Sequence, residues 1–270
     1  MITFADINDR EELTNMWCTV FDEDREVADA FFDRIFPDCF APTVSVDGKI
    51  VSALFLLPCK LGNFSGLCVY AAMTDKTFRG NGFMRKLLDF SDKFRKNRKL
   101  DFLFLVPAKK SLFEYYGKCR FVPIGIKQTV CISDKLGDFD NVTSCSSHEY
   151  RKLRDANTAK VPRLKFSEKI TEFWADTCCH YGGETVRCKE ACGLIFSDGD
   201  KTVIRDLTGS SDGISAILAY TYEKYGGAPI CADGLFADLP NNTETVVCGM
   251  VRTDNREIFN NNYYIGTTLE

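Results

Sequence analysis

The chain has 270 residues, of which 45% are hydrophobic and 27% charged, and its formal net charge is −4. This composition is typical of a globular protein rather than a disordered one, and the length suits two ordinary domains. The slightly negative charge disfavours bulk attraction to nucleic acid, and no segment reaches the roughly 18 apolar residues that a membrane span requires.

Two further features of the composition narrow the class of protein. The N-terminal stretch MITFADINDREEL is acidic and lacks the apolar core of a signal peptide, so we expect a cytoplasmic protein. Thirteen cysteines are scattered without a CxxC pair, and the chain has only two histidines. We therefore expect no metal site and interpret the cysteines as reduced, mostly buried thiols.

The first half contains strand and helix patterns in a recognisable order. A short strand, ITFADI, is followed by two helices, the first started by Asn8 or Asp9 and the second ending before Pro37. Asp47-Gly48 indicates a hairpin turn between two strands, and a third strand at 67–73 completes an antiparallel meander. After a helix, the apolar stretch 101–107 predicts a central strand parallel to 67–73. A short helix and a final strand follow it.

The second half repeats this order without visible sequence identity. Residues 133–147 are polar and rich in turn formers, which predicts a linker and two domains, 1–133 and 134–270. Beyond the linker we expect two helices, a hairpin through SDGD at 197–200, a loop and helix, and two strands. We interpret the second half as a degenerate structural duplicate of the first.

The stretch Arg79-Gly80-Asn81-Gly82-Phe83-Met84 opens a helix and carries the clearest chemical signal. Glycine lets backbone amides approach a ligand, and the first N–H groups of a helix carry the positive end of its dipole. These donors can close around a diphosphate, with Arg79 adding fixed charge. The alternative is a glycine-rich turn without a ligand. A P-loop and a dinucleotide-binding GxGxxG motif are both excluded by the pattern and its context.

This order of elements, with TFRGNGFM at 77–84 and FEYYGKCRF at 113–121, resembles the GNAT superfamily of acetyl-CoA-dependent N-acyltransferases over about residues 1–130. The resemblance implies an α/β (α+β) fold with a mixed, mostly antiparallel sheet flanked by helices, followed by a second GNAT-like domain. It also implies an acetyl-CoA site. The residues implied to surround the pyrophosphate of coenzyme A are Arg79, Gly80, Asn81, Gly82, Phe83 and Met84.

The same resemblance assigns residues near the reacting thioester. Ala72, Met73 and Thr74 would align the pantetheine arm, and an amide near Ala72 would hold the thioester oxygen. Tyr116 falls at the general-acid position, where a phenol can protonate the departing thiolate. The alternative for Tyr116 is a packed aromatic residue at a helix end.

Three positions near these motifs bear on the chemistry. Lys109 stands where many relatives have an asparagine, and Arg120 replaces the glycine before Phe121. Cys119 lies near the motif and suggests an acyl-cysteine route, but the expected reaction is direct attack by an amine. The competing hypothesis is a non-catalytic acyl-CoA-binding or interaction protein.

Tandem GNAT chains, including the Eis-like acetyltransferases, join an active first copy to a degenerate second one. Here the loop TGSSDG at 208–213 lacks arginine and carries Asp212, so we expect it to bind no coenzyme A. Residues 136–270 carry a formal charge of −6 against +2 for residues 1–135, which suggests either a wall for a cationic amine or generic solubility.

Carboxylates elsewhere in the chain are further candidates for the amine site. Asp22, Glu23 and Asp24 lie where GNAT substrates commonly enter, and a solvated helix-start cluster is the alternative. The terminal carboxylate of Glu270 is a possible general base by analogy with some tandem relatives. No base is assigned, and the acceptor amine, the acyl-chain preference and the oligomeric state are left open.

Overall fold

One mixed sheet of 13 strands, flanked by helices, runs through the computed structural model of the chain. The structure describes residues 1–133, 139–198, 201–225, 230–236 and 243–266. In the first half the elements are β1 (Ile2–Phe4), α1 (Arg10–Phe21), α2 (Arg25–Arg34), β2 (Pro42–Val46), β3 (Lys49–Leu61), β4 (Phe64–Thr74), α3 (Phe83–Asn97), β5 (Phe102–Leu105), α4 (Lys110–Lys118) and β6 (Val122–Ile132).

The second half follows a similar helix and strand order, with one short strand inserted between its first two helices and, among the described residues, no helix directly before its last strand. Its elements are β7 (Thr143–Ser144), α5 (Ser147–Asn157), β8 (Leu164–Lys165), α6 (Glu168–His180), β9 (Glu184–Cys188), β10 (Ala191–Asp198), β11 (Lys201–Thr208), α7 (Ser211–Lys224), β12 (Ile230–Leu235) and β13 (Glu244–Thr253). The predicted hairpin of β10 and β11 is present, although its turn lies outside the described residues. The sequence did not predict β7, β8 or β9.

Local signals placed most element ends correctly, with one exception. Asp47 and Gly48 both adopt positive φ, as the two-residue hairpin turn requires. Ser146 and Glu149 form the predicted capping box at the start of α5. The exception concerns the cap of the first helix. Asp9 is the N-cap residue of α1, as one of the two predicted starts, but its side chain makes no capping hydrogen bond. Asp6 instead caps the short 3-10 turn at Ile7–Asp9 that precedes α1.

The two halves exchange their last strands. The sheet order is β1-β2-β3-β4-β5-β13-β6-β12-β11-β10-β9-β7, with β8 paired to β3 at the side. Strand β13 lies between β5 and β6, and β6 lies between β13 and β12, in each case antiparallel. Each half therefore depends on the other for the hydrogen bonds of one strand. The domain division at residue 133 stays a prediction, since the sheet continues across it.

The central strand β5 is buried on both faces, as its apolar sequence predicted. Phe102 and Phe104 pack into a core formed with α1, α2 and α6, whereas Leu103 and Leu105 face α3 on the opposite side. The strand pairs in parallel with β4, with Gly66, Leu67 and Cys68 opposite Phe102, Leu103 and Phe104. The predicted position and direction of β5 are confirmed.

Arg120 has a left-handed backbone, with φ of 69°, where the GNAT motif carries glycine. A side chain costs about 1–2 kcal/mol in this conformation, which glycine adopts freely. The arginine partly offsets this strain through an ion pair of 2.8 Å with Asp89, but both side chains are well exposed. Exposed pairs of this kind contribute about 0–1 kcal/mol.

We expect Arg120→Gly to raise the free energy of unfolding by about 0.5–1 kcal/mol, because the relief of strain exceeds the lost exposed ion pair. Urea denaturation of the purified variant measures this change. Lys118→Gly is the control, since Lys118 is exposed in the last turn of α4 and glycine there lowers stability by up to about 1 kcal/mol. Equal losses in both variants would contradict the assignment of strain to Arg120.

Candidate active site

A cleft opens where β4 and β5 separate. The two strands pair only from Gly66 to Cys68, after which β4 continues to Thr74. No strand within the described residues pairs with this side of β4 beyond Cys68. A bulge places Ala71 and Ala72 opposite the single residue Leu54, and Ala71 has a positive φ of 44°. The bulge turns the free edge of β4 toward the cleft and is a common device beside active sites.

The predicted anion loop lies at the mouth of this cleft. Gly80 and Gly82 have φ values of 83° and 73°, and a Cβ built on either would meet no atom within 4 Å. Gly82 is the N-cap of α3 and supplies no capping side chain, and the first turn of α3 contains no acidic residue. The first N–H groups of the helix are therefore available to an anion.

The charge around the loop is positive. The Nε of Arg79 donates to the carbonyl oxygen of Thr74 at 3.2 Å, which fixes the side chain and leaves its other N–H groups to bind a ligand. Arg85 follows in the first turn of α3. Among the described residues, no carboxylate lies within 4 Å of either guanidinium. Asn81 donates instead to the carbonyl oxygen of Phe78 at 3.0 Å and thereby braces the loop.

Two cavities meet at Tyr116. The larger, of 470 Å³, is bounded by the loop and includes most of the sequence-predicted site residues, namely Ala72, Thr74, Arg79, Gly80, Gly82, Phe83, Met84 and Tyr116. The smaller, of 260 Å³, lies between α1, β4, β5, α4 and α6. Ala72, Leu112 and Tyr116 line both cavities. Met73 and Asn81 line neither, and the Met73 side chain is fully buried in the core.

The Tyr116 phenol stays protonated at neutral pH. Burial raises the pKa of Tyr116 to about 12, and the neighbouring Tyr115 and Cys119 act in the same direction. Its ring packs against Phe121 at 5.9 Å between centroids, so the side chain is held at the junction of the cavities. Tyr115 is 38% exposed and lines only the larger cavity.

Two other positions beside the Tyr116 motif, residues 109 and 119, do not line either cavity. Cys119 is buried and borders neither cavity, and burial raises the pKa of its thiol. A thiolate nucleophile at this position is therefore disfavoured. Lys109 is exposed at the start of α4 and also lies outside both linings.

The three carboxylates between α1 and α2, those of Asp22, Glu23 and Asp24, have different surroundings. Glu23 is half-buried and lines the smaller cavity. Asp24 caps α2 by accepting from the amide of Glu26 at 3.0 Å, and its other oxygen contacts His180 at 3.2 Å. Asp22 ends α1 in a left-handed conformation. Glu23 is thus the one of the three that lines the cleft. Asp22 and Asp24 instead end α1 and cap α2.

Aromatic residues that the sequence analysis did not assign to a site line the smaller cavity. Trp17 of α1, Tyr70 of β4 and Trp174 of α6 surround it, with ring centroids 5.7 Å apart for Trp17 and Tyr70 and 6.3 Å apart for Tyr70 and Trp174. The two tryptophans lie on the buried faces of α1 and α6, but their meeting depends on the packing of the two halves. No local signal in the sequence indicates it.

The corresponding region of the second half is closed. There β11 and β12 stay paired as far as Thr208 and Leu235, and the bulge residues are Asp206 and Leu207, opposite Gly193. A Cβ on Gly234 would lie 2.0 Å from the carbonyl oxygen of Leu207. Backbone therefore fills the space that is open between β4 and β5.

The loop before α7 is also packed rather than open. A Cβ on Gly209 would lie 2.3 Å from the Cα of Ala191, and one on Gly213 would lie 2.7 Å from the Ala191 Cβ. Asp212 contacts Lys189 at 3.6 Å on the surface. These contacts leave no room for a phosphate group beside the glycines.

Solved structures with the same architecture include GCN5-related N-acetyltransferases, at very low sequence identity. A GCN5-related N-acetyltransferase from Anabaena variabilis ATCC 29413 superposes with a TM-score of 0.71 and 13% identity, covering 94% of this chain and 73% of that one. Eis1 from Mycobacterium abscessus gives 0.63 and 12%, with coverage of 94% and 73%. A tandem GNAT protein from the clavulanic acid biosynthesis pathway gives 0.57 and 9%, with coverage of 94% and 98%. The chain has a tandem GNAT fold.

This likeness concerns the fold alone, because no protein-family model matches the sequence and no curated protein is significantly similar to it. Within the described residues, no group of three or more Cys, His, Asp or Glu is arranged to hold a metal ion. None of the helices described is both long and apolar enough to cross a membrane. Glu270 lies outside the described residues.

Proposed function

We propose that the protein is an acetyl-CoA-dependent N-acetyltransferase that acetylates a primary amine by direct attack in a ternary complex. The observation that carries this proposal is the open separation of β4 and β5 beside an uncapped helix N-terminus. Gly80 and Gly82 leave this entrance clear of protein atoms. A cleft of this form exists in the first half and is filled in the second, so we propose a single active site.

The residues around the larger cavity fit a bound nucleotide thioester. The first amides of α3, with Arg79 and Arg85, would hold the pyrophosphate through charge-assisted hydrogen bonds. The free edge of β4 at Ala72, Met73 and Thr74 would pair with the amide groups of the pantetheine arm. Because the Met73 side chain is buried in the core, only its backbone is available for this contact.

The proposed reaction places Tyr116 beside the leaving group. The nitrogen lone pair of the neutral amine attacks the thioester carbonyl carbon, and the C–S bond breaks with its electrons moving to sulfur. Tyr116 then donates its proton to the thiolate, the extra proton of the acetylated nitrogen passes to water, and the tyrosinate regains a proton from water. Holding the two reactants in adjoining cavities removes much of the entropic barrier to their encounter.

We expect Gly80→Ala to weaken the binding of coenzyme A about 10- to 100-fold in isothermal titration. The added methyl group meets no protein atom and would displace the pyrophosphate from the backbone donors. Gly48→Ala is a matched control, because Gly48 has nearly the same φ, also has open space around its Cβ and lies in a remote hairpin turn. Equal affinity in the two variants would overturn the loop assignment.

Catalysis is tested separately by thiol release from acetyl-CoA across a panel of primary amines. Transfer to at least one amine, with the N-acetyl product identified by mass spectrometry, supports the enzyme. Tight binding of coenzyme A without transfer to any amine would instead favour a non-catalytic acyl-CoA-binding protein.

A further inference from the structure

The smaller cavity, hereafter the acceptor chamber, has walls that are mainly aromatic and aliphatic. Trp17 and Trp174 are almost fully buried side chains that reach its surface, and Tyr70 and Phe21 complete an aromatic boundary. The aliphatic remainder comes mainly from β4, β5 and the start of α4. At 260 Å³ the chamber is below the roughly 300–1,000 Å³ of pockets for drug-sized ligands, so it suits a small molecule.

One charged side chain lines the acceptor chamber. Glu23 is the single carboxylate among the lining residues within the described part of the chain, and no lysine or arginine belongs to that lining. The Tyr181 hydroxyl donates a hydrogen bond to Glu23 Oε1. This contact spans the two halves, because Glu23 follows α1 and Tyr181 follows α6. The second half thus contributes Trp174 to the wall and Tyr181 to the position of the carboxylate.

We propose that the acceptor is a small primary monoamine with a flat, apolar body, aromatic in its best form, whose ammonium group pairs with Glu23. This inference rests on the proposed function and specifies its substrate class. The body lies among Trp17, Tyr70 and Trp174, where aromatic rings pack favourably in offset or edge-to-face geometry. Glu23 holds the amine as its ammonium, which passes a proton to water before the neutral nitrogen attacks the thioester.

A polycation fits this chamber poorly. A second ammonium group further along the substrate would leave water for an apolar wall that offers no second carboxylate, and burial of an unpaired charge is strongly unfavourable. The net negative charge of the second half therefore does not extend to the acceptor chamber. The second half contributes to this region the indole of Trp174 and the phenol of Tyr181. Specificity therefore has two sources. The apolar wall disfavours a substrate with a second positive charge, and the contacts with the carboxylate and the aromatic rings favour a monoamine.

Matched amines test the charge requirement directly. Hexylamine and 1,6-diaminohexane have the same chain length and differ by one ammonium group, whereas 2-phenylethylamine adds the aromatic body. We expect kcat/KM for thiol release to be at least about 10-fold higher for hexylamine than for 1,6-diaminohexane, and highest for 2-phenylethylamine. A preference for 1,6-diaminohexane, spermidine or kanamycin would overturn the inference and leave the proposed acetyltransferase standing. Absence of transfer to every amine would overturn both.

Variants of the carboxylate and its partner test the residues. With 2-phenylethylamine we expect Glu23→Gln to raise KM about 10-fold or more, because a charge-assisted contact is lost, while the affinity for coenzyme A is unchanged. Tyr181→Phe is expected to raise KM by a smaller factor and to leave kcat unchanged, because Tyr181 acts only by positioning the Glu23 carboxylate. Glu26→Gln is the control, since Glu26 is exposed in the first turn of α2 and does not line the chamber. An unchanged KM in Glu23→Gln would refute the assignment.

Discussion

We expect Tyr116→Phe to lower kcat for thiol release from acetyl-CoA about 100- to 10,000-fold. The phenol lies where the cavity bounded by the anion loop meets the acceptor chamber, so it is the proton donor best placed for the departing sulfur. Phenylalanine keeps the ring and its packing against Phe121, which limits the change to the loss of one O–H group. Affinity for coenzyme A is therefore expected to stay within a few-fold of wild type.

The neighbouring tyrosine supplies the control for this prediction. Tyr115→Phe removes the same hydroxyl from a ring that lines only the larger cavity, and we expect less than about a threefold change in kcat. Because the pKa of Tyr116 is about 12, the acid stays protonated up to about pH 10. Loss of this acid should therefore cause no fall in wild-type kcat below that pH. Similar losses of activity in both variants would refute the catalytic role of Tyr116.

The largest expected effect on stability comes from Asp206→Asn, which should lower the free energy of unfolding by about 3–5 kcal/mol. Asp206 is fully buried at the bulge of β11 and accepts hydrogen bonds from Arg154 at 2.5 Å, from Tyr150 at 2.8 Å and from Tyr264. Removal of its charge leaves the buried guanidinium of Arg154, among the described carboxylates, with only its longer contact to Asp155, at 3.4 Å. Denaturant titration of the variant measures the loss.

The pH dependence of this difference has a definite sign. Burial alone raises the pKa of Asp206, but the Arg154 guanidinium and the two tyrosine hydroxyls outweigh it and hold the pKa below its usual value. A lowered folded-state pKa means that the stabilisation is complete above about pH 4 and is lost as the pH falls through that lower pKa. The gap between wild type and variant should therefore be constant from about pH 8 to about pH 5.

Asp38→Asn is the control for the stability measurement. Asp38 pairs with Lys169 at 2.7 Å, but both side chains are well exposed, and such pairs contribute about 0–1 kcal/mol. A loss in Asp206→Asn no larger than in Asp38→Asn would contradict a structural role for the buried network.

Corresponding bulges in β4 and β11 have opposite surroundings in the two halves. In β4 the bulge is occupied by Ala71 and Ala72, whose small side chains leave the cleft open. In β11 it is occupied by Asp206 and Leu207, and the space is filled by charged and aromatic partners and by the approach of β12. The position is thus open in the first half and packed by the fold in the second.

The sequence by itself determined the local elements and the open glycine turn before α3. Asp47-Gly48, the Ser146–Glu149 capping box and the apolar run of β5 are short-range signals, and each leads to the expected structure because its cause lies within a few neighbouring residues. The glycines at 80 and 82 belong to this class, since both adopt positive φ, a conformation that glycine reaches without a steric penalty.

Only the tertiary structure decided which strands the halves exchange and what surrounds the acceptor chamber. The neighbours of β6 and β13 depend on pairing between distant segments, and the meeting of Trp17 with Trp174 depends on how α6 packs against the first half. Helical spacing states that a residue is buried but not against which partner, because many sequence-distant faces are equally apolar. The sequence proposed Asp22, Glu23 and Asp24 together for the amine site, and only the tertiary structure shows that Glu23 is the one of the three that lines the acceptor chamber.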